Sequence, residues 1–300
     1  MREVAIIGVG QIPVGEHWGS SLRMLATDAI MAALDDAGIS LVDALYVGNG
    51  YGAVYSSQQH LGALVADHAG LSGVEAYTIE AADASGAAAL RTGYLAVASG
   101  AVETALVVGV EKSTDTVGSA RVEARNVSLD ADYEATQGAT LTGLAALLMR
   151  RYMYEYGLDL NAFEGFSINA HANGGKNEYA MFRNSIKPGR FAKAPMVADP
   201  VNLFDSAPDG DGAAAVILTS LERAGDMVPQ PVRVTASAAA TDTLTLHDRA
   251  DLLFLKAAAL SAHKAYQQAL IQATDINLFE LHDAYTVLSA LTLESAGFTE

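Results

Sequence analysis

The chain has 300 residues, 51% of them hydrophobic and 18% charged, the makeup of a globular protein with apolar mass for one large or two ordinary domains. Its 35 acidic and 18 basic residues leave a formal net charge of −17, which argues against a generally basic surface for nucleic acid or anionic membrane. The absence of cysteine excludes disulfides, thiolate-zinc sites and thiol catalysis.

The opening MREVAIIGVG passes at once into an apolar strand, without the basic and long apolar regions of a signal peptide. No apolar run reaches the ~18 residues of a membrane span, and the chain reads as cytoplasmic. VAIIGVG (Val4 to Gly10), ALYVGNG (Ala44 to Gly50) and TALVVGV (Thr104 to Val110) are predicted strands, alternating with Ala-rich helical stretches as strands buried on both faces do. Ser21 to Gly38 predicts a helix with Leu22, Leu25, Ile30 and Leu34 on its apolar side and Gly38 as its stop. IEAADASGAAALRTGYLAVASG, Ile79 to Gly100, reads as a strand end turning at Asp83 into a second helix stopped by Gly100.

From about Gly118 to Pro200 charge and aromatic content rise, which predicts an inserted loop-and-helix segment before AAAVILTS (Ala213 to Ser220) returns to strand texture. After Pro231 the opening order recurs: strand VRVTASAAAT, helix LLFLKAAALSAHKAYQQAL, connector IQATDIN, strand LFELHDA. This predicts an incomplete internal duplication. A two-stranded second sheet would leave apolar edges, to be covered by a partner chain or by sequence beyond Glu300.

Three motifs bear on chemistry. GVGQIPVG (Gly8 to Gly15) fails the dinucleotide fingerprint because Pro13 stands where the third glycine belongs, and its glycines are expected in turns. ELHDAYT (Glu280 to Thr286) sets an imidazole and a carboxylate at the end of a predicted buried strand, where α/β proteins keep their chemistry; a solvent-facing loop is the plain alternative. KNEYAMFRNSIKPGRFAK places Lys176, Arg183, Lys187, Arg190 and Lys193 together against one acid, Glu178. In so acidic a chain this is either a phosphate-holding patch or a solvated face.

Together EVAIIGVGQIPVGEH, LATDAIMAALDDAGI, EAADASGAAALRTGYLAVASG, ALVVGVEKSTDT, HANGGKNEYAMFR, DGAAAVIL and LFELHDAYT resemble the thiolase superfamily, in its sterol-carrier-protein-x and archaeal or bacterial acetyl-CoA acetyltransferase branch. The resemblance implies an α/β fold of two similar βαβαβαββ halves in a layered α/β/α/β/α arrangement. The first half is interrupted by a coenzyme A-binding loop domain, and the second is truncated, its Gly-His-Pro and Gly-rich loops lying beyond residue 300. It assigns residues 1–117 and 201–228 to the first half, 118–200 to the loop domain and 229–300 to the second half.

The resemblance also assigns roles. The family's nucleophilic cysteine, at the start of a buried helix, falls at Asp83, and the histidine of its His-Asp-aromatic motif at His282, with Asp283 and Tyr285. Lys176, Arg183, Lys187 and Arg190 fall to coenzyme A. No metal or resident cofactor is implied, the coenzyme A thioester being substrate or ligand. A carboxylate is a poor nucleophile toward a thioester, and Asp83 is expected to cap the helix as an ordinary N-cap. Three readings follow: an acyl-CoA-binding protein deficient in thiolysis and condensation; an aldolase acting on β-hydroxyacyl-CoA, with Asp83, His282 or Tyr285 moving protons beside an OB-fold, zinc-ribbon acyl-CoA-binding partner; and a non-catalytic subunit or scaffold. A homodimer or higher oligomer is expected, with no nucleic acid and no membrane span. Ser206 stands where relatives often have a second cysteine.

Overall fold

The apolar runs become strands and the Ala-rich stretches helices in the computed structural model, which describes residues 1–299. Its first part contains β1 (Val4–Gln11), α1 (Leu22–Ala37), β2 (Ala44–Gly48), α2 (Gly52–Tyr55), α3 (Leu61–His68), β3 (Glu75–Ile79), α4 (Ser85–Ser99), β4 (Thr104–Glu111) and α5 (Ser119–Asn126). Then come α6 (Leu141–Tyr156), α7 (Glu164–Gly174), β5 (Met196–Ala198), β6 (Val201–Asn202), β7 (Gly212–Ser220), α8 (Leu221–Met227), β8 (Val232–Val234), α9 (Lys256–Ala269) and α10 (Thr286–Ser295). They belong to two units, Met1–Ala124 with Asp209–Ser237, and Arg125–Pro208 with the chain from Ala238.

The first unit is an α/β layer structure around a six-stranded sheet of order β3-β2-β4-β7-β1-β8. β2 runs parallel to β3 and β4, whereas β7 is antiparallel to β4 and β1. Successive strand residues point to opposite faces, and both faces are covered. Leu45, Val47, Leu106, Val108 and Ile217 meet Leu25 and Ile30 of α1 and Leu61 and Val65 of α3. Ala44, Tyr46, Ala105, Val107 and Leu218 meet Ala89, Tyr94 and Val97 of α4. Hence these strands read as continuous apolar runs rather than as alternation. Gly38 (φ 65°) and Gly100 (φ 82°) end α1 and α4 in the left-handed conformation, as their place in the sequence predicts.

Gly8 and Gly10, expected in turns, lie inside β1. They let α1 approach: a Cβ on Gly10 would stand 2.1 Å from the Ala29 carbonyl oxygen and 2.4 Å from the Ala33 nitrogen. Backbone-to-backbone packing, not turn geometry, requires glycine there.

The second unit gathers Ala145, Met149, Phe163, Phe191, Val201, Tyr285, Val287 and Leu291 into one apolar cluster, and β5 and β6 form a two-stranded ribbon. The strand expected over 278–284 is irregular, and that over 232–241 is reduced to β8. A strand needs a neighbour: β8 takes the edge of β1, and among the described residues neither sheet pairs with 278–284. The alanines and serine that follow β8 also lack the β-branched surface that favours strands. Of the expected repeat, α9 and the three residues of β8 are realised.

Candidate functional site

Residue 83 lies where β3 gives way to α4, in a 3-10 turn spanning Ala82–Ala84. The turn is tight enough to hold Ala82 at φ 48°, a conformation a non-glycine residue adopts at a cost of about 1–2 kcal/mol. Ser85 closes it. Its buried hydroxyl accepts the Ala81 N–H at 2.9 Å and donates to the Ala82 carbonyl at 2.6 Å. Two glycines bring the turn against β2: a Cβ on Gly48 would meet the Ser85 carbonyl oxygen at 2.6 Å, and one on Gly50 the Ala82 carbonyl oxygen at 2.8 Å. The small residues around Asp83 therefore serve strand-to-turn packing.

The N-cap expected of Asp83 does not form. The cap of α4 is Ala84, without a side-chain hydrogen bond, and the 3-10 turn likewise lacks one. Asp83 sits inside the turn, one residue too early to cap the α-helix, and its exposed carboxylate accepts the Tyr51 hydroxyl at 2.8 Å. α4 thus begins without a side-chain cap from its N-cap residue.

Tyr51 is 6% exposed and follows β2 in a loop pinned to the end of β4. Glu111 Oε2 accepts the Gly50 and Tyr51 amides, each at 3.1 Å, and Oε1 accepts Asn49 Nδ2 at 3.1 Å. Asn49 also donates to the Val110 carbonyl and accepts the Gly52 amide, each at 2.8 Å. Burial pushes the Glu111 carboxyl above its ordinary range, against the pull of these donors.

A second polar centre of the same unit surrounds Asp211, which is 0% exposed. Its carboxylate accepts the Ser113 and Thr114 amides at 2.8 and 2.9 Å, the Thr114 hydroxyl at 2.7 Å, the His17 amide at 3.0 Å and Lys112 Nζ at 3.1 Å. Burial alone would raise this carboxyl; Thr114, the His17 amide and Lys112 outweigh it and hold it down at about 2. Lys112 also pairs with Asp115 at 2.9 Å, and the two acids lift its ammonium pKa against the effect of burial.

In the second unit His282 and Asp283 are exposed on the irregular segment before α10. Tyr285 is buried, and its hydroxyl shares a hydrogen bond with Thr142 Oγ1 at 2.8 Å. Beside it Asp205, buried and thereby raised in pKa, accepts the Thr286 hydroxyl and the Asn202 amide. Lys176, Arg183, Lys187 and Arg190 are exposed along the irregular stretch after α7. Among the described residues no cluster of His, Asp and Glu is arranged to hold a metal ion. Among the described residues no helix is long and apolar enough to cross a membrane.

Residues 4–199 match the model of the thiolase N-terminal domain, and residues 238–300 that of the thiolase C-terminal domain-like family. The chain belongs to the thiolase family. It is 41% identical to an acetyl-CoA acetyltransferase of Methanothermobacter thermautotrophicus, over 100% of this chain and 78% of that protein. It is 40% identical to an acetyl-CoA acetyltransferase of Methanocaldococcus jannaschii, over 99% and 76%. The solved Ltp2-ChsH2(DUF35) aldolase shares its fold, with a TM-score of 0.79 at 23% identity over 99% of this chain and 77% of that one.

This acetyl-CoA acetyltransferase-like member of the thiolase family carries polar groups that motif reading passes over: Asn49, Tyr51, Glu111, Lys112 and Asp211. One signal was available. The apolar run of β4 ends abruptly in Glu111-Lys112, and charges at the end of a buried strand need partners. Which partners, at residues 49–51 and 211, only the fold shows.

Proposed function

We propose that this thiolase-family chain binds a coenzyme A thioester and does not carry it through a covalent acyl-enzyme. The observation that carries this reading is Asp83 at the start of α4, engaged by Tyr51 in a chain without cysteine. Acyl transfer to residue 83 would break the thioester C–S bond and join the acyl carbon to a carboxylate oxygen, giving a mixed anhydride of higher energy than the thioester it replaces. Lys176, Arg183, Lys187 and Arg190 would hold the phosphates; they are exposed, and among the described residues none forms an ion pair with an acid. The test is to mix the purified chain with acetyl-CoA and follow both saturable binding and free coenzyme A. Binding without release is expected; a burst of coenzyme A stoichiometric with protein overturns the reading.

The Tyr51–Asp83 hydrogen bond also favours a second reading, proton transfer in a retro-aldol cleavage. A base would take the β-hydroxyl proton of a β-hydroxyacyl-CoA, the Cα–Cβ bond would break to release an aldehyde or ketone, and the thioester enolate would take up a proton. Asp83 and His282, both exposed, suit this role; the Tyr285 hydroxyl is already shared with Thr142. A partner protein belongs to this reading, supported by the name of the structural neighbour Ltp2-ChsH2(DUF35) aldolase; the OB-fold, zinc-ribbon character of that partner is part of the proposal. Carbonyl release from a panel of β-hydroxyacyl-CoA thioesters supports it, and silence with and without the partner removes it. A homodimer fits either reading: edge strand β3 leaves Tyr77 55% exposed, an edge a second copy would cover. Sedimentation as a monomer removes that element.

A further inference from the structure

The Asp83 carboxylate accepts a hydrogen bond from a residue that neither the motifs nor the family resemblance assigns, Tyr51. We propose that Tyr51 is the hydrogen-bond donor built to face the reacting position at residue 83, and that Glu111 is a positioning residue that fixes the loop presenting it. The inference rests on residue 83 being the reacting position, and on nothing about turnover.

Three features carry it. The Tyr51 ring is buried and its edge meets Tyr55 at 5.9 Å between centroids, so its hydroxyl is aimed by packing. The loop reaches the turn by close backbone approach at Gly50, where any Cβ would run into the Ala82 carbonyl oxygen. Glu111 then grips two consecutive amides, Gly50 and Tyr51, and the Asn49 side chain. Glu111 is only partly exposed and, among the described residues, forms no ion pair. A partly desolvated carboxylate without a cation is costly to keep, and what it secures here is the placement of Tyr51. A phenol hydroxyl in this position stabilises negative charge, on the residue at 83 or on a substrate oxygen brought to it.

The experiment uses Asp83→Cys, which gives the chain a single thiol. A thiolate sulfur lies nearer the backbone than a carboxylate oxygen but accepts at longer range, so the Tyr51 hydroxyl stays in reach. Iodoacetamide alkylation is followed against pH in Asp83→Cys alone, with Tyr51→Phe, and with Glu111→Gln. A charge-assisted hydrogen bond changes the ionisation constant of its acceptor about tenfold. Thiolate nucleophilicity falls as its pKa falls, with a Brønsted slope of about 0.4–0.5, so about three- to fourfold survives as rate.

At a pH below both midpoints, adding Tyr51→Phe should therefore slow alkylation about three- to fourfold, and it should move the midpoint of the profile up by about one pH unit. Glu111→Gln, whose amide nitrogen cannot accept the Gly50 and Tyr51 N–H groups, should move both in the same direction. An unchanged rate and midpoint with Tyr51→Phe overturns the donor role. A slow Phe variant beside an unchanged Gln variant overturns the positioning role. If Glu111→Gln does not fold, Glu111→Asp, which keeps the charge and withdraws the oxygens, takes its place and must fall between the others. Protection by acetyl-CoA is read in parallel. Its absence with the Tyr51 effect intact removes the thioester-pocket reading and leaves this inference standing, and the reverse pattern does the opposite.

Discussion

Removing Lys112 isolates the buried end of its ion pair, so Lys112→Met tests whether the Asp211 centre holds the first unit together. The pair is 3.1 Å apart with side chains 4% and 0% exposed, and at an effective dielectric of about 20 its gross attraction is about 5 kcal/mol. Removing one member of a buried pair costs about 3–5 kcal/mol. Asp211 retains donors on Ser113, Thr114 and His17, which places the expected loss near the lower bound, about 3 kcal/mol. The pH dependence follows from a carboxyl held at about 2 in the fold against an ordinary 3.8. Its stabilisation, about 2 kcal/mol, is complete above the unfolded value and is lost as pH falls from there toward the folded one. Lys112, raised in the fold, contributes fully below its unfolded value and loses its contribution as pH rises through the folded value. The difference between parent and variant is therefore flat around neutrality and narrows toward both extremes. Trp18, the only tryptophan, adjoins His17 and reports this unit by fluorescence. With a urea slope of about 2 kcal/mol per molar, the midpoint should drop by about 1.5 M at pH 7. Coincident midpoints at pH 7, or a gap that widens on acidification, would refute the reasoning.

Gly10→Ala should destabilise the same unit by about 3 kcal/mol or prevent folding, because the added methyl meets helix backbone. Gly225→Ala, in α8 with open space around it, should stabilise by about 0.5–1 kcal/mol, and comparing the two thermal midpoints checks both. Ser85→Ala should cost about 2 kcal/mol, since it removes two hydrogen bonds closing a strained turn; Asp83→Ala, which removes the exposed acceptor of the Tyr51 hydroxyl, should cost less. Equal losses in urea titration would mean that Asp83 shares in closing the turn. Lys187→Glu with Arg190→Glu should weaken acetyl-CoA binding about tenfold in calorimetry at low salt, two exposed ion pairs at up to about 1 kcal/mol each plus repulsion, and the deficit should shrink as salt is added; unchanged binding removes these residues from the ligand site.

The first sheet was legible because strands covered on both faces must be apolar throughout, and β1, β2, β4 and β7 are. The stops at Gly38 and Gly100 were legible because a left-handed residue after a helix selects glycine almost alone. Elsewhere the pattern was mute. LFELHDA is as apolar as a strand, but a strand is a relation between two segments, and no local pattern states whether a neighbour will be there. Gly8 and Gly10 read as turn residues because a glycine that admits a helix backbone looks, in one dimension, like one that bends a chain.

The site shows the same division more sharply. That Asp83 begins a helix is a statement about neighbours in sequence, and it was correct. That it caps the helix depended on an offset of one residue, which the 3-10 turn and the Ser85 hydroxyl decided. Ser85 took the role of closing the turn, and the Asp83 carboxylate, with no cap to form, turned to Tyr51. Structural closure of the turn and polar chemistry at its surface therefore rest on different side chains. Ser85, Gly48 and Gly50 close the turn through buried bonds and backbone contacts, whereas the exposed Asp83 carboxylate accepts the Tyr51 hydroxyl. On the reading proposed above, a thiolase-family scaffold so divided would keep its helix terminus when residue 83 is changed, and Tyr51, with the Glu111 grip behind it, would tune the chemistry of that position.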